Sequence, residues 1–126
     1  MLALGPAILS YAQSFVVLDN ALTACAYEVT IYWGDISACT TSPAFYSCGS
    51  TGNSTHTVNG NAVVNVSIPS GANGPCQLVV KKNGGVTVAS GQCSRANSFF
   101  ETPTDCNSDN IDIDVTQAWT VKWIYD

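Results

Sequence analysis

Charged side chains are scarce in this chain. Only 10% of its 126 residues are Asp, Glu, Lys or Arg, against about 25% in an ordinary soluble domain. Four of them are basic, and the formal net charge is −5. A chain without a basic stripe cannot neutralise a phosphate backbone or bind anionic lipid by charge. We therefore expect no nucleic-acid partner and no electrostatic attachment to membranes.

The residues of the common catalytic and metal motifs are also missing. The chain has one histidine, His56, and no CxxC pair, so a zinc site of the usual spacing is not expected. No G-x-S-x-G elbow is present, and the few carboxylates form no recognisable pair for sugar hydrolysis. We predict a non-enzymatic protein without a cofactor. No apolar run approaches the roughly 20 residues of a transmembrane helix, so no transmembrane segment is expected.

What the chain has instead is cysteine. Six cysteines in a small chain indicate three disulfides and a secreted, extracellular protein. Two Asn-x-Ser/Thr sequons, at Asn53 and Asn65, agree with a secretory route and predict glycosylation there. Residues 1–12 allow two interpretations: a signal peptide cleaved after Ala12, or a short apolar helix that is retained. The cysteines are Cys25, Cys39, Cys48, Cys76, Cys93 and Cys106.

Alternation of apolar and polar residues predicts a β-dominated single domain over residues 1–126. Period-2 patterns mark strands at residues 26–33, 61–68, 111–115 and 118–125. Residues 3–22 carry enough apolar side chains for one or two short helices, and residues 40–61 resemble a loop. The expected fold class is α+β: a disulfide-stapled antiparallel sheet or sandwich of about five strands with mainly N-terminal helices.

The strongest local signal is a hairpin between Cys76 and Cys93. Two β-prone runs flank Asn83-Gly84-Gly85, which supplies the positive φ angles of a tight turn. Folding about this turn brings Cys76 next to Cys93, and we predict a disulfide between them. The pairing of the other four cysteines is left open, because six cysteines allow fifteen connectivities.

An acidic stretch, "TDCNSDNIDID", occupies residues 104–114. It lacks the twelfth-position acid of an EF-hand loop, so a looser calcium site at Asp105, Asp109 and Asp112 is the remaining metal hypothesis. We predict no metal site and expect instead that Asp and Asn bond to nearby backbone groups in a turn. In that case Asp112 and Asp114 point outward and discourage edge pairing.

Aromatic residues beside polar ones suggest a site for sugars. Trp33 ends a predicted strand and is followed by Gly34 and Asp35, so its ring would offer an apolar face while Asp35 accepts hydroxyl hydrogen bonds. Tyr32 points to the opposite face and is the second candidate aromatic. The competing interpretation is that Trp33 closes the core and Asp35 caps a turn.

The whole chain resembles small secreted cysteine-rich proteins of fungi, nearest in character to mushroom lectin-type defence proteins. The resemblance rests on the apolar start, the six cysteines, the loops rich in Ser, Thr, Asn and Gly, and the length. It includes no diagnostic motif, so no binding residue is transferred. It implies a secreted glycan-binding protein. The alternative is a secreted, toxin-like effector that binds a protein or membrane target. Neither interpretation predicts an oligomeric state.

Overall fold

The described part of the protein consists of β-strands. The computed structural model describes residues 15–35, 51–82, 86–92, 104–115 and 119–125, with the backbone alone at 86–92 and 115. These ranges contain eight strands and no helix. The strands are β1 (Phe15–Asn20), β2 (Tyr27–Gly34), β3 (Gly52–Val58), β4 (Ala62–Ser67), β5 (Gly74–Lys82), β6 (Val86–Gln92), β7 (Ile111–Val115) and β8 (Thr120–Tyr125).

The strands form two four-stranded sheets. The first sheet has the order β4-β1-β8-β7, and the second sheet has the order β3-β2-β5-β6. All neighbouring strands are antiparallel except β1 and β8, which pair in parallel. Strands β3 and β4 therefore lie at the ends of different sheets, although they follow one another in the chain.

The core lies between the two sheets. Inward residues of β1 and β8 in the first sheet meet those of β2 and β5 in the second, which is the packing of a β-sandwich. The rings of Tyr27 and Trp123 stack across the layer with their centroids 5.3 Å apart. The other large, fully buried side chains are Leu18, Ile31, Leu78 and Ile111.

The predicted α+β class is wrong for the described residues. Part of the expected N-terminal helical region is strand β1, in which Val16 and Leu18 are buried while Val17 and Asp19 are half-buried. The burial alternates with a period of two, as in a strand. The sequence of this segment hides the alternation because apolar residues are adjacent in it, as they can be in a helix. Because β1 lies between two strands, its backbone bonds are satisfied on both sides. The remaining helix prediction, over residues 3–14, lies outside the described residues.

The predicted loop over residues 40–61 is also wrong in part. Residues 52–58 form β3, which pairs with β2 from Tyr27↔Val58 to Trp33↔Gly52. Its sequence, "GNSTHTV", is polar because one face of this end strand is solvated. The strands predicted at 26–33, 61–68, 111–115 and 118–125 are confirmed as β2, β4, β7 and β8.

One disulfide joins distant parts of the chain. Cys25 and Cys106 are bonded; their Cα atoms are 5.8 Å apart, and the two residues are 81 positions apart in sequence. A loop of this length gives roughly 4–5 kcal/mol in the chain-entropy model. The bond ties the β1–β2 connection to the turn before β7. This pairing could not be predicted from local sequence.

The predicted hairpin is confirmed, while its disulfide stays a prediction. Strands β5 and β6 pair antiparallel, and Gln77, directly after Cys76, pairs with Gln92, directly before Cys93. Cys76 is disulfide-bonded. Cys93 and the turn residues 83–85 lie outside the described residues.

Candidate functional site

A groove opens along one side of the sandwich, between β3 of the second sheet and β4 of the first. Its volume is about 510 Å³, within the usual range of about 300–1,000 Å³ for small-molecule sites. It is lined by Trp33, Thr51, Gly52, Asn53, Ser54, His56, Asn65, Val66, Ser67, Pro69 and Ser70. Hydroxyl and amide side chains predominate, and none of these lining residues carries a carboxylate.

The groove exists because the chain crosses between sheets at residues 59–61. Asn61 has a positive φ of 59°, and its backbone N–H donates to the Thr23 carbonyl at 2.8 Å. A Cβ atom at Gly60 would overlap the Ala24 backbone, so only glycine fits this approach. The buried Asn20 amide donates to the Asn59 carbonyl at 3.0 Å. These contacts anchor the crossing that joins β3 to β4.

Three polar groups are connected at the base of the groove. The Trp33 indole N–H donates to Ser54 Oγ at 2.9 Å, and Ser54 Oγ lies 2.7 Å from His56 Nε2. Ser54 and His56 are two positions apart on β3, so their side chains share its inward face. Burial lowers the pKa of His56 below its ordinary value of 6.5. The imidazole is therefore neutral at pH 7, and the described wall of the groove is uncharged.

Within the described residues, the Ser54–His56 pair lacks the third group that orients the base of a nucleophilic serine. A nucleophilic serine needs a base that is itself oriented by a third group. His56 makes its hydrogen bond to Ser54, and no described residue bonds its other ring nitrogen. The Trp33 N–H also donates to the oxygen that would have to attack. The same hydroxyl, indole and imidazole groups are well suited to contact an uncharged polar ligand.

The three residues predicted to bind sugar do not line one pocket. Trp33 borders the groove, but it is only 3% exposed, so most of its ring belongs to the core. Tyr32 is half-buried on the opposite face of β2. Asp35 is exposed and accepts a hydrogen bond from the Asn73 amide at 3.0 Å. Of the predicted set, the groove therefore contains Trp33 alone, whose ring is mostly buried and whose N–H is already donated to Ser54.

Two groove residues, Ser54 and His56, were missed at the sequence level. The polar run of Ser, Thr and Asn that contains His56 is typical of a loop. The available signal was the alternation of "NSTHTV", in which Ser54, His56 and Val58 occupy every second position. Thr is favoured in strands, so the run is compatible with a solvated edge. What the sequence could not show is that the inward face of this strand borders a cavity.

The two predicted glycosylation sites both border the groove. Asn53 lies on β3 and is exposed, and Asn65 lies on β4 and is exposed. Asn65 points away from the core, because the neighbouring Val66 points inward and is buried. Since the two strands form opposite walls, one sequon asparagine stands on each side.

The acidic stretch forms a turn of its own. Asp105 is fully buried, and its Oδ1 accepts the backbone N–H groups of Asn107 at 2.8 Å and Asp109 at 2.9 Å. Ser108 has a positive φ of 65° in this turn. The turn interpretation is confirmed, and Asp112 is exposed on β7 as expected. In the described residues no cluster of three His, Cys, Asp or Glu side chains is placed to hold a metal ion.

Comparison with known proteins adds no relative. No protein-family model, no curated protein and no solved structure matches this chain. Within the described ranges, no helix is long and apolar enough to cross a membrane.

Proposed function

We propose that this protein is a secreted, glycan-binding protein whose site is the groove between β3 and β4. The observation that carries the proposal is the lining of this groove. Hydroxyl and amide side chains of β3, β4 and the residues next to them surround a cavity of about 510 Å³, whose lining also includes the His56 imidazole and part of Trp33. Sugar hydroxyls both donate and accept hydrogen bonds, as do Ser, Thr, Asn and neutral His.

The uncharged groove favours neutral sugars. Because burial lowers the pKa of His56, no lining group is ionised at pH 7. A uronic or sialic acid carboxylate would lose its hydration without gaining a cationic partner, which is costly. A neutral hexose or N-acetylhexosamine has no such penalty. Trp33 remains part of the proposed site, while Tyr32 and Asp35 lie elsewhere.

Secretion and N-glycosylation belong to the same proposal. The Cys25–Cys106 disulfide is typical of an oxidising compartment. Asn53 and Asn65 are both exposed, as acceptors of a glycan must be.

The test uses disulfide-intact protein on an array of neutral and acidic glycans, followed by calorimetry on the best neutral ligand. His56→Ala should weaken binding about tenfold, because a direct hydrogen bond to the ligand is worth about 1.4 kcal/mol. The matched control is Thr57→Ala, which changes an exposed side chain on the other face of β3. Binding to no glycan, or equal affinities for the two variants, would overturn the proposal. The former result would favour the alternative of an effector that binds a protein.

A further inference from the structure

We propose that N-glycans of this protein, attached at Asn53 and Asn65, cover its own groove and so compete with external ligands. The competition with an external glycan rests on the proposed function. The coverage itself depends on where the two sequons lie. Both asparagines border the groove, one on each of its two walls.

The two sequons are placed alike, although they belong to different sheets. Asn53 follows Gly52 at the start of β3, opposite Tyr32, and Asn65 lies within β4, opposite Val17. Each asparagine is exposed, and each is followed by a half-buried or buried residue that lines the groove, Ser54 or Val66. Both side chains lie on the outer faces of their strands, Asn53 on the same face of its sheet as its partner Tyr32, so a sugar linked to either amide starts outside the groove and covers it by extending over the rim.

The modification also changes the rim chemically. The amide nitrogen of Asn53 or Asn65 forms a bond to C1 of an oligosaccharide, while the bond from C1 to the phosphate of a lipid pyrophosphate donor breaks. The lipid pyrophosphate leaves, and the amide nitrogen loses one proton. The acceptor asparagine keeps one N–H donor instead of two, and a bulky neutral chain starts beside the cavity. Two such chains on opposite walls leave little room for an external sugar.

Substitutions at the third position of each sequon remove the glycan while the acceptor asparagine stays in place. Thr55 completes the first sequon, but its side chain points away from the groove. The hydroxyl groups of Thr55 and Thr30 lie 3.0 Å apart on the outer face of the sheet. Thr55→Ala therefore removes the sequon without changing the lining, and Thr55→Ser preserves it. Ser67 completes the second sequon and borders the groove. For that reason Ser67→Ala must be compared with itself in glycosylated and unglycosylated preparations.

The experiment compares wild type with the double variant Thr55→Ala/Ser67→Ala, each made in a eukaryotic secretory cell and in a bacterial periplasm. Glycopeptide mass spectrometry gives the occupancy of Asn53 and Asn65. Two readouts follow: affinity for the neutral glycan found on the array, and the rate at which diethyl pyrocarbonate modifies His56, the one histidine of the chain. The second readout needs no ligand.

We expect the secreted wild type to bind at least tenfold more weakly than the periplasmic wild type, and its His56 to react several-fold more slowly. The double variant should behave alike from both sources. Unoccupied asparagines, or occupied ones with equal His56 reactivity, would overturn the inference. If the periplasmic protein binds no glycan, the proposed function is wrong, but this inference is still testable. The rates at which diethyl pyrocarbonate modifies His56 then show whether N-glycans cover the groove.

Discussion

Replacing Tyr27 with phenylalanine should stabilise the protein at neutral pH. The Tyr27 ring is buried between the sheets and stacks on Trp123. Its hydroxyl is buried and has no hydrogen-bond partner of good geometry among the described residues; the Thr23 hydroxyl lies close enough to interact with it but donates its proton to Asn20. A buried hydroxyl without a partner costs about 1–3 kcal/mol. Phenylalanine retains the stack and removes that cost.

The gain is large enough to see in a melting curve. At about 2.1 cal/mol/K per residue, a 126-residue chain has an unfolding entropy of about 0.26 kcal/mol/K. One kcal/mol then corresponds to about 4 °C, so Tyr27→Phe should raise Tm by about 4–11 °C in calorimetry. Tyr125→Phe is the matched control. Its hydroxyl accepts the Ala24 N–H at 3.2 Å, so its loss should lower Tm by up to about 4 °C.

The same hydroxyl should make the fold sensitive to alkali. Burial, reinforced by the negative charge of Asp105, raises the pKa of Tyr27 above its ordinary value. The folded state then holds this proton more tightly than the unfolded state. The stability that this tighter proton binding gives the folded state is fully present below about pH 10, the ordinary pKa of tyrosine. It is lost as the pH rises toward the pKa of Tyr27 in the folded state. Tyr27→Phe should therefore show a shallower loss of stability between about pH 9 and 11 than wild type.

Two results would refute this reasoning. A Tm for Tyr27→Phe several degrees below wild type at pH 7 would mean that the hydroxyl has a hydrogen-bond partner, for which Thr23 and the buried Asp105 are the candidates. If wild type and Tyr27→Phe lose stability equally steeply between about pH 9 and 11, burial does not raise the pKa of Tyr27.

Three further outcomes are expected. Asp105→Ala should cost about 2–3 kcal/mol in denaturant unfolding, because two backbone N–H groups lose their charged acceptor, whereas Asp112→Ala on the exposed face should stay within about 0.5 kcal/mol; equal costs would contradict the turn. Trp33→Ala should cost about 3–5 kcal/mol and Trp33→Phe far less, since phenylalanine still fills most of the core position; a Tm within about 4 °C of wild type for the alanine variant would show that the ring is not part of the core. Non-reducing peptide mapping should recover Cys76 linked to Cys93, and a different partner for either cysteine would show that the pairing inferred from the hairpin is wrong.

Segments in which apolar and polar residues alternate could be predicted as strands from the sequence, because the alternation is visible within a few consecutive residues. Tyr27, Val29 and Ile31 point inward at every second position of β2, and all three are buried. Likewise, the antiparallel pairing of β5 and β6 follows from a short turn between two β-prone runs. Such features depend on neighbours within a few residues.

Features that depend on distant contacts could not be assigned. Strand β1 resembles a helical segment until β4 and β8 are seen on its two sides. The Cys25–Cys106 bond spans 81 positions, and no local pattern distinguishes it from the other pairings that six cysteines allow. Tertiary packing alone decides these cases, because the energy that selects them comes from partners far along the chain.

The candidate site shows the same division. The sequence by itself determined a charge-poor chain with six cysteines, two sequons and several alternating strands, because composition and short motifs depend only on residues close together in the chain. Only the tertiary structure decided that Asn53 and Asn65 border one groove, with Trp33, Ser54 and His56 at its base. The physical reason is that consecutive strands β3 and β4 belong to different sheets. Their facing edges become walls only when the sheets pack together.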